Sequence, residues 1–306
     1  MKYLISIIIP AYNEEKNVQL IESKISEVLT NKYNYEVIFI NDGSIDNTLS
    51  EVKKISELKK NIKYISFSRN FGHQCALKAG LDYARGDCVI SMDCDLQHPP
   101  ELIPKLIEMW EKGYEIVYTV RNDDETPFIK KFTSNFFYVF VNRLSDIHID
   151  QGAADFRLLD RKVVDVIKNL NESVIFLRGL ISWCGFKQYS IKYTPNKRTH
   201  GQSKYSFKKM LIFALDGVTS FSVKPLRLST IFGFILSAFT GLYAMFALVA
   251  HLMSLYTISG WTSVILSVLF LGGVQLIILG IMGEYLGKLF VESKRRPLYI
   301  IDKKKL

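Results

Sequence analysis

Cysteine is scarce in this 306-residue sequence. There are four, at positions 75, 88, 94 and 184, and none stands at CxxC or zinc-ligand spacing. That excludes a disulfide-stapled scaffold and a structural zinc module, and the thiols are expected to be reduced. No GxGxxG follows a strand-like run, which excludes the dinucleotide fingerprint of a dehydrogenase. Internal repeats and low-complexity tracts are also missing. The apolar run from Tyr3 to Pro10 is too short for a secretory leader and passes straight into polar residues, so no leader is expected.

Charge is missing from one block altogether. Residues 228–283 hold no Lys, Arg, Asp or Glu, although the chain as a whole is +9. Residues 1–191 carry 24 basic against 26 acidic side chains, 192–227 carry 8 against 1, and 284–306 carry 7 against 3. A basic excess that flanks an uncharged block points to an anionic lipid surface and not to nucleic acid. The block divides into two runs, about 228–250 and 262–283. The first is 23 residues long, enough for a helix rising ~1.5 Å per residue to cross a bilayer core. The link from His251 to Trp261 has no Lys or Arg, so the positive-inside rule places both basic flanks in the cytoplasm. The domains expected are therefore a cytoplasmic domain at 1–191, a basic juxtamembrane segment at 192–227, a transmembrane hairpin at 228–283 and a basic cytoplasmic tail at 284–306. Within the juxtamembrane segment, Phe207, Met210, Leu211, Ala214 and Leu215 recur at helical spacing beside Lys208 and Lys209, the pattern of an interfacial amphipathic helix.

The first 191 residues alternate β-rich runs with helical stretches. Strands are expected at Leu4 to Pro10, Tyr35 to Ile40, Ile62 to Ser66, Cys88 to Met92 and Ile116 to Thr119. Helices are expected at about Asn17 to Leu29, up to Leu58, up to Ala84, Glu101 to Lys112, Phe128 to Leu144 and Arg161 to Asn169. That order argues for an α/β fold with a parallel, doubly wound sheet. Polar clusters at 12–15, 42–46 and 93–98 all follow strands, so they should converge at the carboxyl edge where such sheets bind ligands. In extended chain, Asp93 and Asp95 would point the same way. Two carboxylates so placed suit an oxygen-preferring cation such as Mg²⁺ or Mn²⁺ shared with substrate phosphates. Cys94 between them should face away and pack.

These residues resemble a known set. Ile9-Pro10-Ala11-Tyr12-Asn13-Glu14-Glu15, Asn41-Asp42-Gly43-Ser44-Ile45-Asp46, Ser68-Arg69-Asn70-Phe71-Gly72 and Met92-Asp93-Cys94-Asp95-Leu96-Gln97 are similar, in order, to the motifs of family 2 glycosyltransferases with the GT-A fold, a Rossmann-like, mostly parallel sheet. Ala154-Asp155-Phe156-Arg157, Phe213 to Gly217, and Gly272 to Gly287 resemble the bacterial polyprenyl-phosphate branch. That branch includes bactoprenol glucosyltransferases of O-antigen (lipopolysaccharide) modification, with dolichol-phosphate mannose synthase as a relative. The likeness covers nearly the whole chain. One departure is His98, where Asp is frequent.

The resemblance implies metal-dependent, inverting transfer of a sugar from a nucleotide-sugar donor to undecaprenyl phosphate at a bacterial inner membrane, with glucose from UDP-glucose the first choice. N-acetylglucosamine, galactose and mannose stay open, as does uridine against guanosine. By position, Pro10, Tyr12, Glu14, Asp42 and Asp93 would hold the nucleotide, and Asp93, Asp95 and Gln97 would surround Mg²⁺ or Mn²⁺. Arg121, Arg157, Arg198, Ser203 and Lys204 are candidates for the lipid phosphate or the diphosphate. Asp95, Asp155 and Arg157 are the catalytic candidates, with Asp155 either a base or an orienting group. The implied partners are membrane lipid, a flippase, a downstream glycosyltransferase and further copies of the chain in a homotetramer. Gly233, Gly241, Gly272, Gly273 and Gly280 would permit close helix packing in such an assembly. A processive polysaccharide synthase would share the metal motifs, but two spans are too few for a polymer channel and its Gln-x-x-Arg-Trp motif is absent. A membrane-anchored scaffold descended from a transferase would have lost the Asp93–Asp95 pair, which is present.

Overall fold

A computed structural model describes residues 3–122, 152–170, 172, 175–195, 219, 222–253 and 260–306. The β-branched run of β1 (Leu4–Ala11) lies in the middle of a sheet, where both of its faces are buried. It pairs in parallel with β2 (Asn34–Asn41) on one side and β4 (Cys88–Ser91) on the other, and β2 pairs in parallel with β3 (Ile62–Phe67). Alternation along β1 sends Ile5, Ile7 and Ile9 to one core and Ile8 to the other. Helices α1 (Val18–Leu29), α2 (Thr48–Leu58) and α4 (Ile103–Glu111) cover the first face. The second is covered by α3 (His73–Tyr83), α5 (Arg161–Asn169) and α6 (Leu177–Trp183). The expected parallel α/β layering is thus present over the first half of the chain.

Three strands depart from expectation. The stretch before the helix at Arg161, where no strand is expected, forms β6 (Ala153–Asp160), which runs antiparallel between β4 and β5 (Ile116–Arg121). The edge beyond β5 is β7 (Gln188–Tyr193), giving the order β7-β5-β6-β4-β1-β2-β3-β8. The last member, β8 (Ile301–Lys305), comes from the segment expected to be a free basic tail. It pairs antiparallel with β3, Tyr64 facing Lys305 and Ser66 facing Lys303. Edge pairing satisfies backbone groups of β3 that would otherwise be open, and a lysine-rich edge strand discourages further pairing.

Between the sheet and β8 run two long helices, α7 (Lys224–Leu252) and α8 (Trp261–Ser293). Both exceed the expected spans, and α8 continues past Gly283 to Ser293. Two stretches, Lys224–Tyr243 and Ser267–Ser293, are long and apolar enough to cross a membrane, with mean hydropathies of 1.4 and 1.8, and neither is buried within the chain. Large apolar side chains such as Phe234 and Phe239 face outward. A buried soluble helix pair is therefore not what these residues form. A Cβ built on Gly233, Gly241, Gly272, Gly273 or Gly280 would meet nothing within 4 Å, so these glycines make no close packing within the single chain. The helix expected at 128–144 and the amphipathic helix around 207–215 lie outside the described residues.

Candidate active site

The loop after β1 and the loop after β2 are stitched together. Asn13, with φ +57°, donates its N–H to Ser44 Oγ at 3.0 Å, and its Oδ1 accepts from Ile45 N–H at 3.0 Å. Glu14 N–H donates to Thr48 Oγ1 at 2.8 Å, and Glu15 Oε2 accepts from Asn47 N–H at 3.1 Å. Asp46 Oδ1 in turn accepts from Thr48 N–H at 3.0 Å. Pro10 is buried at the end of β1, while Tyr12 is 37% exposed on the loop. Glu14 Oε2 accepts from Asn17 Nδ2 at 2.6 Å.

Asp42 is buried, and its carboxylate accepts from the N–H groups of Phe71 at 2.7 Å and Gly72 at 3.0 Å. It thereby locks the loop after β3 against the loop after β2. Burial raises its pKa, partly offset by those two amides. Gly43, at φ +64°, makes the same contact at closest range: a Cβ there would sit 2.3 Å from the Arg69 carbonyl carbon.

At the end of β4 the regular strand stops at Ser91, two residues earlier than Asp93, and the chain turns. The alternation expected to align the two aspartates therefore does not apply. Asp93 remains open to solvent, its side chain 29% exposed, whereas Asp95 is buried and its Oδ1 accepts from Gln97 N–H at 3.1 Å. Cys94 is buried and free, as its packing role requires, and burial holds its thiol pKa well above the usual value. Among the described residues no group of three or more His, Cys, Asp or Glu side chains is arranged to hold a metal. Asp93 and Asp95 still supply the hard oxygen donors that Mg²⁺ or Mn²⁺ prefers, and such ions complete their shells with phosphate oxygens and water. The donor set fits a shared ion of that kind.

His98 is fully buried, stacked on Phe156 (5.2 Å, 16°) with Tyr193 edge-on. Its Nδ1 accepts from Asp93 N–H at 3.0 Å, which leaves a neutral ring's proton on Nε2. That nitrogen lies 3.6 Å from Asp93 Oδ2 and 3.4 Å from Arg121 Nη2, so with the arginine it makes a close approach and not a hydrogen bond. Burial lowers the His98 pKa, keeping the ring neutral. The side chain is an internal brace of Asp93. Arg121 is oriented by Nε donating to Tyr193 OH at 3.2 Å.

Asp155 and Arg157 share one face of β6. Arg178, from α6, grips the Asp155 carboxylate with both Nε (2.7 Å) and Nη2 (2.9 Å). His73 Nε2, from the first residue of α3, lies 3.4 Å from Asp155 Oδ2 and 3.7 Å from Asp93 Oδ1. A line of alternating charge thus runs Asp93, His73, Asp155, Arg178. Burial alone would raise the Asp155 pKa, but Arg178 and then His73 outweigh it and hold the carboxyl well below the usual range. Burial would likewise lower His73, yet Asp155 and Asp93 push it up to about 9. Arg157 is buried, with Nη2 donating to Ala154 O at 2.8 Å and Nε without a hydrogen-bond partner. It lines a small cavity together with Asp155, Ile8, Leu77 and Leu159. Arg198, Ser203 and Lys204 lie outside the described residues.

The structure therefore joins Asp93 to Asp155 through His73 and Asp93 to Arg121 through His98. Tyr12, Glu14 and Asp42 lie on the interlocked loops after β1 and β2, with Pro10 at the end of β1 beside them. Three participants escaped the sequence reading. His73 follows the Ser68–Gly72 motif directly and could have been weighed with it. Arg178 and Tyr193 sit in stretches with no motif.

The family model for "Glycosyl transferase family 2" matches residues 6–168. The uncharacterized glycosyltransferase YkcC of Bacillus subtilis (strain 168) is 45% identical over 300 residues, covering 97% of this chain and 93% of that protein. The bactoprenol glucosyl transferase of Shigella phage SfV is 41% identical over 303 residues, covering 98% and 99%. Among solved structures, the glucosyl-3-phosphoglycerate synthase of Mycobacterium tuberculosis in complex with Mn²⁺, UDP-glucose and phosphoglyceric acid aligns with a TM-score of 0.47 at 16% identity, over 71% of this chain and 78% of that one.

Proposed function

Because the chain belongs to glycosyl transferase family 2, we propose that it transfers glucose from UDP-glucose to the phosphate of undecaprenyl phosphate, with inversion at the anomeric carbon. One observation carries the reading. The sheet that carries Asp155, around which Asp93, His73 and Arg178 gather, is closed at its edge by β8, which follows shortly after a helix apolar enough to cross a membrane. A polar site is thus tied to an anchor that keeps it at head-group depth, where a lipid phosphate lies. The sugar and the acceptor follow the bactoprenol glucosyl transferase relative.

In the proposed displacement an acceptor phosphate oxygen bonds to the anomeric carbon as the bond from that carbon to the diphosphate oxygen breaks. The nucleoside diphosphate leaves and a lipid phosphodiester remains. A phosphate monoester has its second pKa near ~6, so the acceptor is largely dianionic and needs no strong base. Asp155, kept ionised by Arg178, is suited to orienting His73 and Arg178 and not to taking a proton. Mg²⁺ or Mn²⁺ held by Asp93 and Asp95, with Gln97 beside them, would stabilise charge developing on the diphosphate. Asp42, Tyr12 and Glu14, on the interlocked loops, and Pro10, at the end of β1, would frame the nucleotide. Arg121, Arg198, Ser203 and Lys204 would meet phosphates, while Arg157 would act through Asp155.

Pairing of β8 with β3 supports a hairpin whose two flanks share the cytoplasmic side, because the sheet contains residues from before α7 and after α8. Open space at the α7 and α8 glycines leaves room for further copies of the chain. The product would pass to a flippase and then to a transferase acting on a cell-surface polysaccharide. The test is transfer to undecaprenyl phosphate in detergent from labelled UDP-glucose and other nucleotide-sugars, with Mg²⁺ or Mn²⁺ and with Asp95→Ala as control. A lipid-soluble, EDTA-sensitive product from one donor, absent in the variant, is expected. Donor binding without lipid labelling from any donor would overturn the acceptor assignment.

A further inference from the structure

The segment after α8 does more than close the sheet edge. Ser68 N–H donates to Ile300 O at 3.0 Å, at the point where β3 gives way to the loop 68–72. The Tyr299 ring stacks on Phe67 (5.0 Å, 15°), and Phe67 meets Phe71 edge-on (5.7 Å, 87°). At the same time the Tyr299 hydroxyl donates to Asp82 Oδ2 at 2.8 Å, near the far end of α3, where Lys78 holds the other carboxylate oxygen. Burial and the neighbouring Asp82 push the phenol pKa up, so it stays protonated as a donor. One side chain therefore ties β3 to α3, the two elements on either side of the loop. The loop in turn delivers the Phe71 and Gly72 amides to Asp42, and Gly72, at φ +100°, opens α3 at His73. Tyr299 itself lies in the short link, residues 294–300, between the end of α8 and β8.

We propose that Tyr299 is a positioning residue, through which the segment leaving the membrane helix sets the place of loop 68–72, and with it the Phe71 and Gly72 amides that hold Asp42 of the donor site. The effect on turnover rests on the donor-site reading given above. The placement of the loop does not. Loss of the ring should let loop 68–72 shift while leaving the reacting groups in place.

The test uses the full chain in detergent, comparing Tyr299→Ala, Tyr299→Phe and Asp42→Ala. For Tyr299→Ala the donor KM should rise about tenfold, with kcat within about twofold, and hydrogen exchange at the Phe71 and Gly72 amides should accelerate. Tyr299→Phe keeps the stack and should recover most of the KM. An unchanged KM with unchanged exchange would overturn the proposal. So would a fall in kcat alone, which signals only fewer folded molecules. If Asp42→Ala leaves donor binding intact, the donor-site reading fails, and exchange at the two amides alone decides the role of Tyr299. Should Tyr299→Ala not be recoverable from membranes, Tyr299→Leu keeps apolar bulk without a ring face and carries the same comparison.

Discussion

Arg178→Ala is the substitution whose outcome follows most directly from the geometry. Asp155 has a side chain only 9% exposed, and Arg178 supplies its two short hydrogen bonds, at 2.7 and 2.9 Å. Removing one partner of a buried ion pair costs roughly 3–5 kcal/mol when the charge is left alone. Here His73 at 3.4 Å and Arg157 at 3.6 Å remain, and Arg178 itself is 24% exposed, so about 2 kcal/mol is the expected loss. For a chain of this size that lowers Tm by about 4–8 °C in a detergent melt. The sign with pH is fixed by the direction of the shift. A carboxylate held below its usual pKa contributes stability that is present above the unfolded value of about 3.9 and is lost as pH falls through the folded value. The gap between wild type and variant should therefore be full at pH 7 and shrink on acidification below about pH 4. Turnover should fall at least tenfold, because the Asp155 that orients His73 is no longer held. Arg178→Lys, which keeps the charge without the two-pronged geometry, should recover part of it. A variant that melts within a degree of wild type and turns over within twofold would refute the reasoning.

Gly43→Ala should uncouple the loops after β2 and β3. Its Cβ would fall 2.3 Å from the Arg69 carbonyl carbon at a positive φ, so a loss of about 2 kcal/mol or more and weaker UDP binding by calorimetry are expected. Glu36→Gln should destabilise the centre of the sheet by about 2 kcal/mol, because the buried carboxylate accepts from Ser6 Oγ at 2.5 Å, Arg85 N–H at 2.9 Å and Lys63 Nζ at 2.7 Å. Burial would raise the Glu36 pKa, but the Lys63, Ser6 and Arg85 bonds outweigh it and hold it below the usual value. Wild type should consequently lose stability on acidification more steeply than Glu36→Gln, and parallel melts from pH 7 to pH 3 would show it.

How much of this could be read in advance varied with the range of the interaction. The helix expected at Arg161 to Asn169 is found with those bounds, because its apolar positions Val163, Val164 and Ile167 recur within one helical repeat and Asp160 caps it through Lys162 N–H. The charge-free runs mark α7 and α8 for the same reason, since a helix long and apolar enough to cross a membrane declares itself in its own composition. The segment 153–160 reads poorly as a strand because Asp155 and Arg157 break its apolar pattern. Both are tolerated inside only because Arg178 neutralises one and the Ala154 carbonyl accepts from the other. His98 reads as a polar departure in a motif, yet the fold uses it as a buried brace between Asp93 and two aromatic rings.

The sequence by itself determined which stretches are strands and helices over the first 122 residues, where the acidic motifs fall and which helices avoid water. Those properties depend on neighbours a few positions away. Tertiary structure alone decided that 301–305 pairs with β3, that Arg178 meets Asp155 and that His73 stands between Asp155 and Asp93. Each of these contacts joins residues whose local pattern allows many partners. The choice among partners is made only when the sheet order leaves one edge open and one buried charge unpaired.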